Sequence, residues 1–219
     1  MDISENIKQY KDELSEGVKL VAISKTKPNE DILEAYRAGQ RIFGENKIQE
    51  MTDKWEELPQ DIEWHMVGHV QRNKVKYMAP FVSLIHAVDS LKLLKEINKR
   101  AKQNDRVINC LLQVKIAEED SKFGISDEEA REILASEAYA KMENVKIIGL
   151  MGMATFTDDE DQVKSEFRYL KSVFEELKMD FPELEELSMG MSGDYKIALE
   201  CGTTMVRIGS SIFGARNYN

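Results

Sequence analysis

Short apolar, β-branched runs alternate along the whole chain with stretches in which apolar residues recur every three to four positions. The first periodic stretch puts Ile3, Ile7, Tyr10 and Leu14 on one helical face, with Gly17 placed to end it. Strands are predicted at Val18–Ser24, Arg41–Gly44, Glu63–Gly68, Leu84–Val88, Val107–Ile116, Val145–Met151, Leu184–Ser188 and Thr204–Ile208. Helices fall between them. One is stopped at Gly39, one is capped by Ser90, and two open with the S/T-x-x-E pattern of a capping box, Ser126 to Glu129 and Thr157 to Glu160. Val163, Phe167, Leu170, Phe174 and Leu177 form the longest helical stripe.

Repeated strand–helix alternation means parallel strands joined by right-handed crossovers. Eight units, with no break in composition, predict one domain over residues 1–219: an α/β fold closed as a (β/α)₈ TIM barrel with an extra N-terminal helix. At roughly 27 residues per unit the barrel is compact beside the usual total of about 250. A doubly wound open sheet is the alternative, since nothing in the pattern fixes strand order.

A barrel of this kind places its chemistry at the C-terminal ends of the strands. The first strand ends in Ser24–Lys25–Thr26–Lys27, where burial of the stem and partial desolvation would lower a lysine pKa and suit the amine to Schiff-base chemistry with an aldehyde. A surface lysine capping the strand is the plainer alternative. Ser188–Asp194 (SMGMSGD) and Arg207–Gly214 (RIGSSIFG) set glycine and serine between a strand and a helix, which suits a phosphate: close backbone approach, hydroxyl donors and free N–H groups. Arg207 points into the barrel if Val206 points out, and a buried guanidinium needs an acidic side chain or a ligand atom to meet it. Met191, among several methionines near strand ends, reads as core filling or as contact with a flat ring. His65 and His69 are four residues apart, but strand context and Gly68 spoil a helical metal pair.

Composition narrows the partners. A net charge of −10 disfavours non-specific binding to nucleic acid or an anionic membrane, so an anionic ligand needs a locally basic pocket. Two cysteines, no signal peptide and no long apolar run lead us to expect a cytoplasmic protein without a membrane segment.

The motifs SKTKP (24–28), FGEN-KIQE (43–50), WHMVGHVQRNK (64–74), SKFG (121–124), GLMGMAT (149–155), SMGMSGDY (188–195) and VRIGSSIFG (206–214), in this order, resemble the pyridoxal phosphate homeostasis protein family. The resemblance implies the fold of the alanine racemase N-terminal domain, with pyridoxal 5′-phosphate (PLP) carried as an imine and no firmly established reaction. It implies Lys25 as the imine lysine, Ser192, Gly209 and Ser210 around the phosphate, and Arg207 at the pyridine nitrogen. Asn46, His65, Lys122 and Met191 would complete the pocket. The expected role is intracellular PLP homeostasis by a monomer, with PLP-dependent apoenzymes as possible recipients; a slow PLP-dependent amino-acid racemase is the alternative. Two positions depart from the common pattern: His69 where leucine is frequent, and Ser210 where threonine is frequent. The eighth unit closes shortly before Asn219, so no second domain carrying a racemase acid/base tyrosine is expected.

Overall fold

The computed structural model describes residues 2–118 and 123–214. Its elements run α1 (Ile3–Glu13), β1 (Lys19–Ile23), α2 (Asn29–Arg37), β2 (Ile42–Glu45), α3 (Ile48–Glu57), β3 (Glu63–Met66), a 3₁₀ turn (Arg72–Lys74) leading into α4 (Val75–Met78), β4 (Leu84–Val88), α5 (Leu91–Gln103), β5 (Ile108–Gln113), α6 (Asp127–Ala135), α7 (Glu137–Ala140), β6 (Val145–Met151), α8 (Glu160–Asp180), β7 (Glu186–Met191), α9 (Tyr195–Glu200), β8 (Met205–Ile208) and α10 (Ser210–Phe213). The eight strands pair in chain order, all parallel, and β1 pairs with β8 to close the barrel. The open-sheet alternative is thereby ruled out.

Strand alternation sorts side chains into two layers. Leu20, Ala22, Phe43, Trp64, Val206 and Ile208 point outward into the main core beneath the helices. Val21, Leu84, Leu111, Met151 and Met205 fill the barrel itself. The helices bury the stripes their spacing demands: Ile3, Ile7 and Tyr10 on α1, and Val163, Phe167, Leu170, Phe174 and Leu177 among others on α8.

Several boundaries differ from the sequence reading. α1 stops at Glu13, where Leu14 turns extended, so Gly17 (φ 87°) serves the turn into β1 rather than the helix end. Ser126 and Glu129 form the expected capping box, but α8 is capped by Asp159, whose carboxylate accepts the N–H groups of Asp161 and Gln162. Thr157 instead accepts the Asp159 N–H. β5 is shorter than predicted, and β7 runs three residues beyond Ser188.

Three strands carry an extra residue against a neighbour. β4 spans Ile85–Val88 where β5 spans Cys110–Leu112, β6 spans Ile147–Gly149 where β5 spans Cys110–Leu111, and β7 spans Ser188–Met191 where β8 spans Met205–Arg207. Such bulges re-aim side chains. On β7, Ser188 faces the barrel, Met189 faces the outer core, and the bulge at Gly190 (φ 97°) returns Met191 to the inside.

Gly149 pairs with Glu186 so closely that a Cβ there would lie 1.8 Å from the Glu186 carbonyl oxygen. Gly149→Ala is expected to cost about 1–3 kcal/mol in urea unfolding, because two backbones must part. Gly193→Ala, where a Cβ meets nothing within 4 Å, should change stability by less than about 0.5 kcal/mol. Equal losses would show that the β6–β7 approach is not the limiting contact.

Candidate functional site

The C-terminal ends of the strands surround a cavity of about 520 Å³. Lys25 enters from the turn after β1 and Asn46 from the end of β2. Met191, Ser192, Gly193 and Asp194 come from the end of β7, with Arg207, Gly209 and Ser210 from β8 and its loop. Seven of the sequence-derived residues therefore meet in one space: Lys25, Asn46, Met191, Ser192, Arg207, Gly209 and Ser210. His65 does not line it. It lies deeper in the barrel, with its Nδ1 3.0 Å from Nε2 of His86, because its position on β3 falls below the strand end. Lys122 lies outside the described residues.

Burial lowers the Arg207 pKa to about 10 against the opposing pull of Asp194, so the guanidinium remains cationic at neutral pH. One terminal nitrogen donates to Ser188 Oγ at 2.6 Å and the other to the Gly152 carbonyl at 3.0 Å. Both acceptors are neutral, and the rest of the donor fork is left to the cavity that Arg207 lines. Lys25, Lys27 and Arg207 make this space basic within an acidic chain. Lys27 is tied down, its Nζ donating to the Phe213 carbonyl at 2.8 Å. The two glycine–serine loops clasp each other, Gly209 N–H donating to Ser192 Oγ at 3.2 Å, while the Met191 N–H reaches Asp194 Oδ1 at 2.5 Å.

Behind Lys25, on the outer side of the barrel, the chain is pinned by an ionic cluster that sequence reasoning missed. Lys54, buried on α3, donates to Glu45 Oε1 (2.8 Å), Glu50 Oε1 (2.7 Å) and the Ser24 carbonyl (2.8 Å). Ser24 Oγ donates to Glu45 Oε1 at 2.6 Å, and the Thr26 N–H to Glu50 Oε1 at 2.5 Å. The residues on both sides of Lys25 are thus held from behind, which sustains the unusual left-handed backbone of Thr26 (φ 63°). The available signal was Lys54 itself, which continues the buried Ile48–Met51 stripe at helical spacing. At the mouth, His69 stacks on Phe123 (ring centroids 4.4 Å apart) with its Nδ1 3.5 Å from Asp89, and Phe156 stands almost fully exposed beside the opening.

Burial pushes the Glu45 carboxyl above the usual range, opposed by Lys54 and the Ser24 hydroxyl, and its Oε2 is a buried oxygen without a hydrogen-bond donor. Removing one member of a buried pair strands the other charge. Lys54→Met should therefore destabilise the fold by about 3–5 kcal/mol at pH 8. Without the lysine, folded Glu45 holds a proton that the unfolded chain releases, so the loss should shrink as pH falls toward 5. Urea unfolding at both pH values measures this, and a loss independent of pH would mean that Glu45 is not the stranded charge.

A family model described as the N-terminal domain of alanine racemase matches residues 2–217. Proteins named pyridoxal phosphate homeostasis protein from Vibrio alginolyticus, Aquifex aeolicus and Escherichia coli are 40%, 41% and 36% identical to this chain, over 93%, 91% and 100% of its length and 89%, 88% and 98% of theirs. PipY of Synechococcus elongatus, in a structure with PLP bound, superposes with a TM-score of 0.88 at 34% identity, over 97% of this chain and 100% of its own. Alanine racemase from E. faecalis shares the fold at 17% identity (TM-score 0.72), with 98% of this chain matching 58% of that one. Near full-length identity to these relatives and the match to the barrel domain lead to one conclusion: the chain belongs to the pyridoxal phosphate homeostasis protein family.

Proposed function

We propose that this chain binds PLP in the cavity at the C-terminal ends of the strands, holding it as an imine on Lys25 in the service of intracellular PLP homeostasis and without strong catalytic activity. The observation that carries the reading is the convergence of the Lys25 amine, the Arg207 guanidinium and the two glycine–serine loops on one cavity. The residues fit the group. The cavity is basic where the chain as a whole is acidic, and Gly193 leaves open space beside Ser192, Gly209 and Ser210 for a phosphate. PipY, a relative along almost the whole chain, has a structure with PLP bound.

Bound PLP supplies an aldehyde for amines and a ring that draws electrons from them. The protein's own groups set the limits on that chemistry. Lys25 supplies the amine on a backbone fixed by the Lys54 cluster. Ser192, Ser210 and the neighbouring N–H groups bind phosphate oxygens, while Asn46 and Met191 line the rest of the pocket. Arg207 faces the ring nitrogen as a donor and keeps it unprotonated, which weakens the electron sink.

Racemisation also needs an acid on the face opposite Lys25. Tyr195 is unsuited: its hydroxyl donates to Glu13 at 2.6 Å, and burial together with that carboxylate pushes its pKa up. His65 sits below the cavity, leaving His69 at the rim as the described candidate. Holding PLP for transfer to PLP-dependent apoenzymes fits this arrangement better than slow amino-acid racemisation, and we take the carrier to be a cytoplasmic monomer.

Borohydride reduction of the PLP-loaded protein, followed by peptide mapping, should place the label on Lys25, and Lys25→Ala should abolish the trapped adduct. Recovery mainly at Lys27 or Lys122 would overturn the lysine assignment. In parallel, L-alanine incubated with the loaded protein should give no appreciable D-alanine by chiral chromatography. Sustained D-alanine formation would replace the carrier reading with the racemase one.

A further inference from the structure

Four buried polar side chains run in an unbroken line through the barrel interior. Arg207 donates to Ser188 Oγ at 2.6 Å, Ser188 Oγ lies 3.0 Å from Nδ1 of His86, and Nε2 of His86 lies 3.0 Å from Nδ1 of His65. They come from β8, β7, β4 and β3, so closure of the barrel is what brings them into line. His65 then borders a second, smaller cavity of about 120 Å³, which it shares with Lys19, Glu63 and Glu186. These three charged residues lie at the N-terminal ends of β1, β3 and β7, on the face of the barrel opposite the candidate site.

The donors in this line can be counted. A guanidinium only donates, so Ser188 Oγ must accept from Arg207. The serine hydroxyl still carries one hydrogen of its own, and Nδ1 of His86 is the acceptor within reach. That leaves the His86 ring hydrogen on Nε2, which donates to Nδ1 of His65, and so leaves the His65 hydrogen on its own Nε2. Each donor therefore points away from Arg207, and the last is left for the smaller cavity, which Glu63 and a Glu186 paired with Lys19 also line. Burial keeps both rings neutral: His65 is lowered to about 3, and His86 lies well below its usual value, with Arg207 adding to the effect. A cation at one end and neutral, hydrogen-bonded rings behind it give the line one orientation.

We infer that Ser188, His86 and His65 form a one-way hydrogen-bond relay that fixes the guanidinium of Arg207 toward the ring nitrogen of the bound cofactor, making Ser188 and His86 positioning residues for that contact. The inference rests on the PLP reading above for the identity of the ring. The relay itself stands on the geometry of this chain.

Two measurements test it. Ring ¹⁵N shifts of the three histidines in the intact protein without ligand, assigned with His65→Gln and His86→Gln, should show His65 and His86 as neutral Nε2–H tautomers from pH 5.5 to 8.5. An imidazolium, or a hydrogen on Nδ1 of either ring, would overturn the relay. The second measurement compares PLP with an analogue that has carbon in place of the ring nitrogen. Ser188→Ala and His86→Leu should weaken PLP binding about tenfold, the scale of one charged hydrogen bond. They should leave the carbon analogue unchanged. His86→Gln, which keeps one acceptor and one donor, should recover most of the PLP affinity. Equal losses for both ligands, or equal defects in His86→Leu and His86→Gln, would assign these residues to the fold and overturn the positioning role. If the unmodified protein binds neither ligand, the PLP reading fails and the ring-nitrogen contact with it, while the ¹⁵N shifts still decide whether the relay exists.

Discussion

Closure between β1 and β8 is the constraint on which the site depends. The pairing sets Lys19, Leu20, Val21 and Ala22 against Met205, Val206, Arg207 and Ile208. Because side chains alternate, Val21, Ile23 and Lys25 share the interior with Arg207 and Gly209 only in this register. A slip of one residue would send either the lysine or the arginine into the helical layer. Of the cations that line the cavity, the two farthest apart in sequence, Lys25 and Arg207, are thus brought to it by one strand pair. The apolar residues that enforce it, Leu20, Ala22, Val206 and Ile208, lie on the outer face of the same strands.

The barrel wall separates two kinds of electrostatics. Outside it, the Lys54 cluster pairs one cation with two carboxylates and spends its hydrogen bonds on the backbone around Lys25. Inside it, Arg207 meets a serine hydroxyl and a backbone carbonyl, so its charge is solvated but not neutralised by contact. A buried charge placed this way remains available to an anionic or electron-rich ligand. The outer cluster fixes where the Lys25 backbone sits, and the inner partners fix where a positive field is felt.

Much of this was legible in the sequence because it is local. Short apolar, β-branched runs marked the eight strands and placed Lys25 at a strand end, and alternation along the last of them gave the inward aim of Arg207. The Ser126–Glu129 capping box was readable within four residues. The family resemblance, rather than spacing, supplied Asn46, which lines the cavity, and Lys122, which lies outside the described residues. What was missed depends on contacts across the barrel. His86 and Ser188 are 102 positions apart; His86 lies in no motif, and the motif that opens with Ser188 pointed to a phosphate rather than to a histidine across the barrel. Ser188 was read as the last residue of a strand that in fact continues to Met191, because a bulge breaks the period that reading relies on. His65 was drawn to the cavity by its motif, although the register of β3 places it a layer lower. Thr157 lost its role as helix cap to Asp159, since the two competing residues stand two positions apart and only the backbone geometry chooses between them.

The bulges have a consequence for how chains of this shape can vary in length. A bulged strand holds one residue more than its neighbour, so losing a residue at that point restores regular pairing and leaves the order of inner and outer side chains intact. β4, β6 and β7 each have such slack. β1 has none, pairing regularly with both β2 and β8. A single insertion or deletion within it would turn every later side chain of the strand inside out, Lys25 included. Length variation among homologous barrels should therefore collect in the loops and the bulged strands, with β1 held to a fixed count of residues by its geometry.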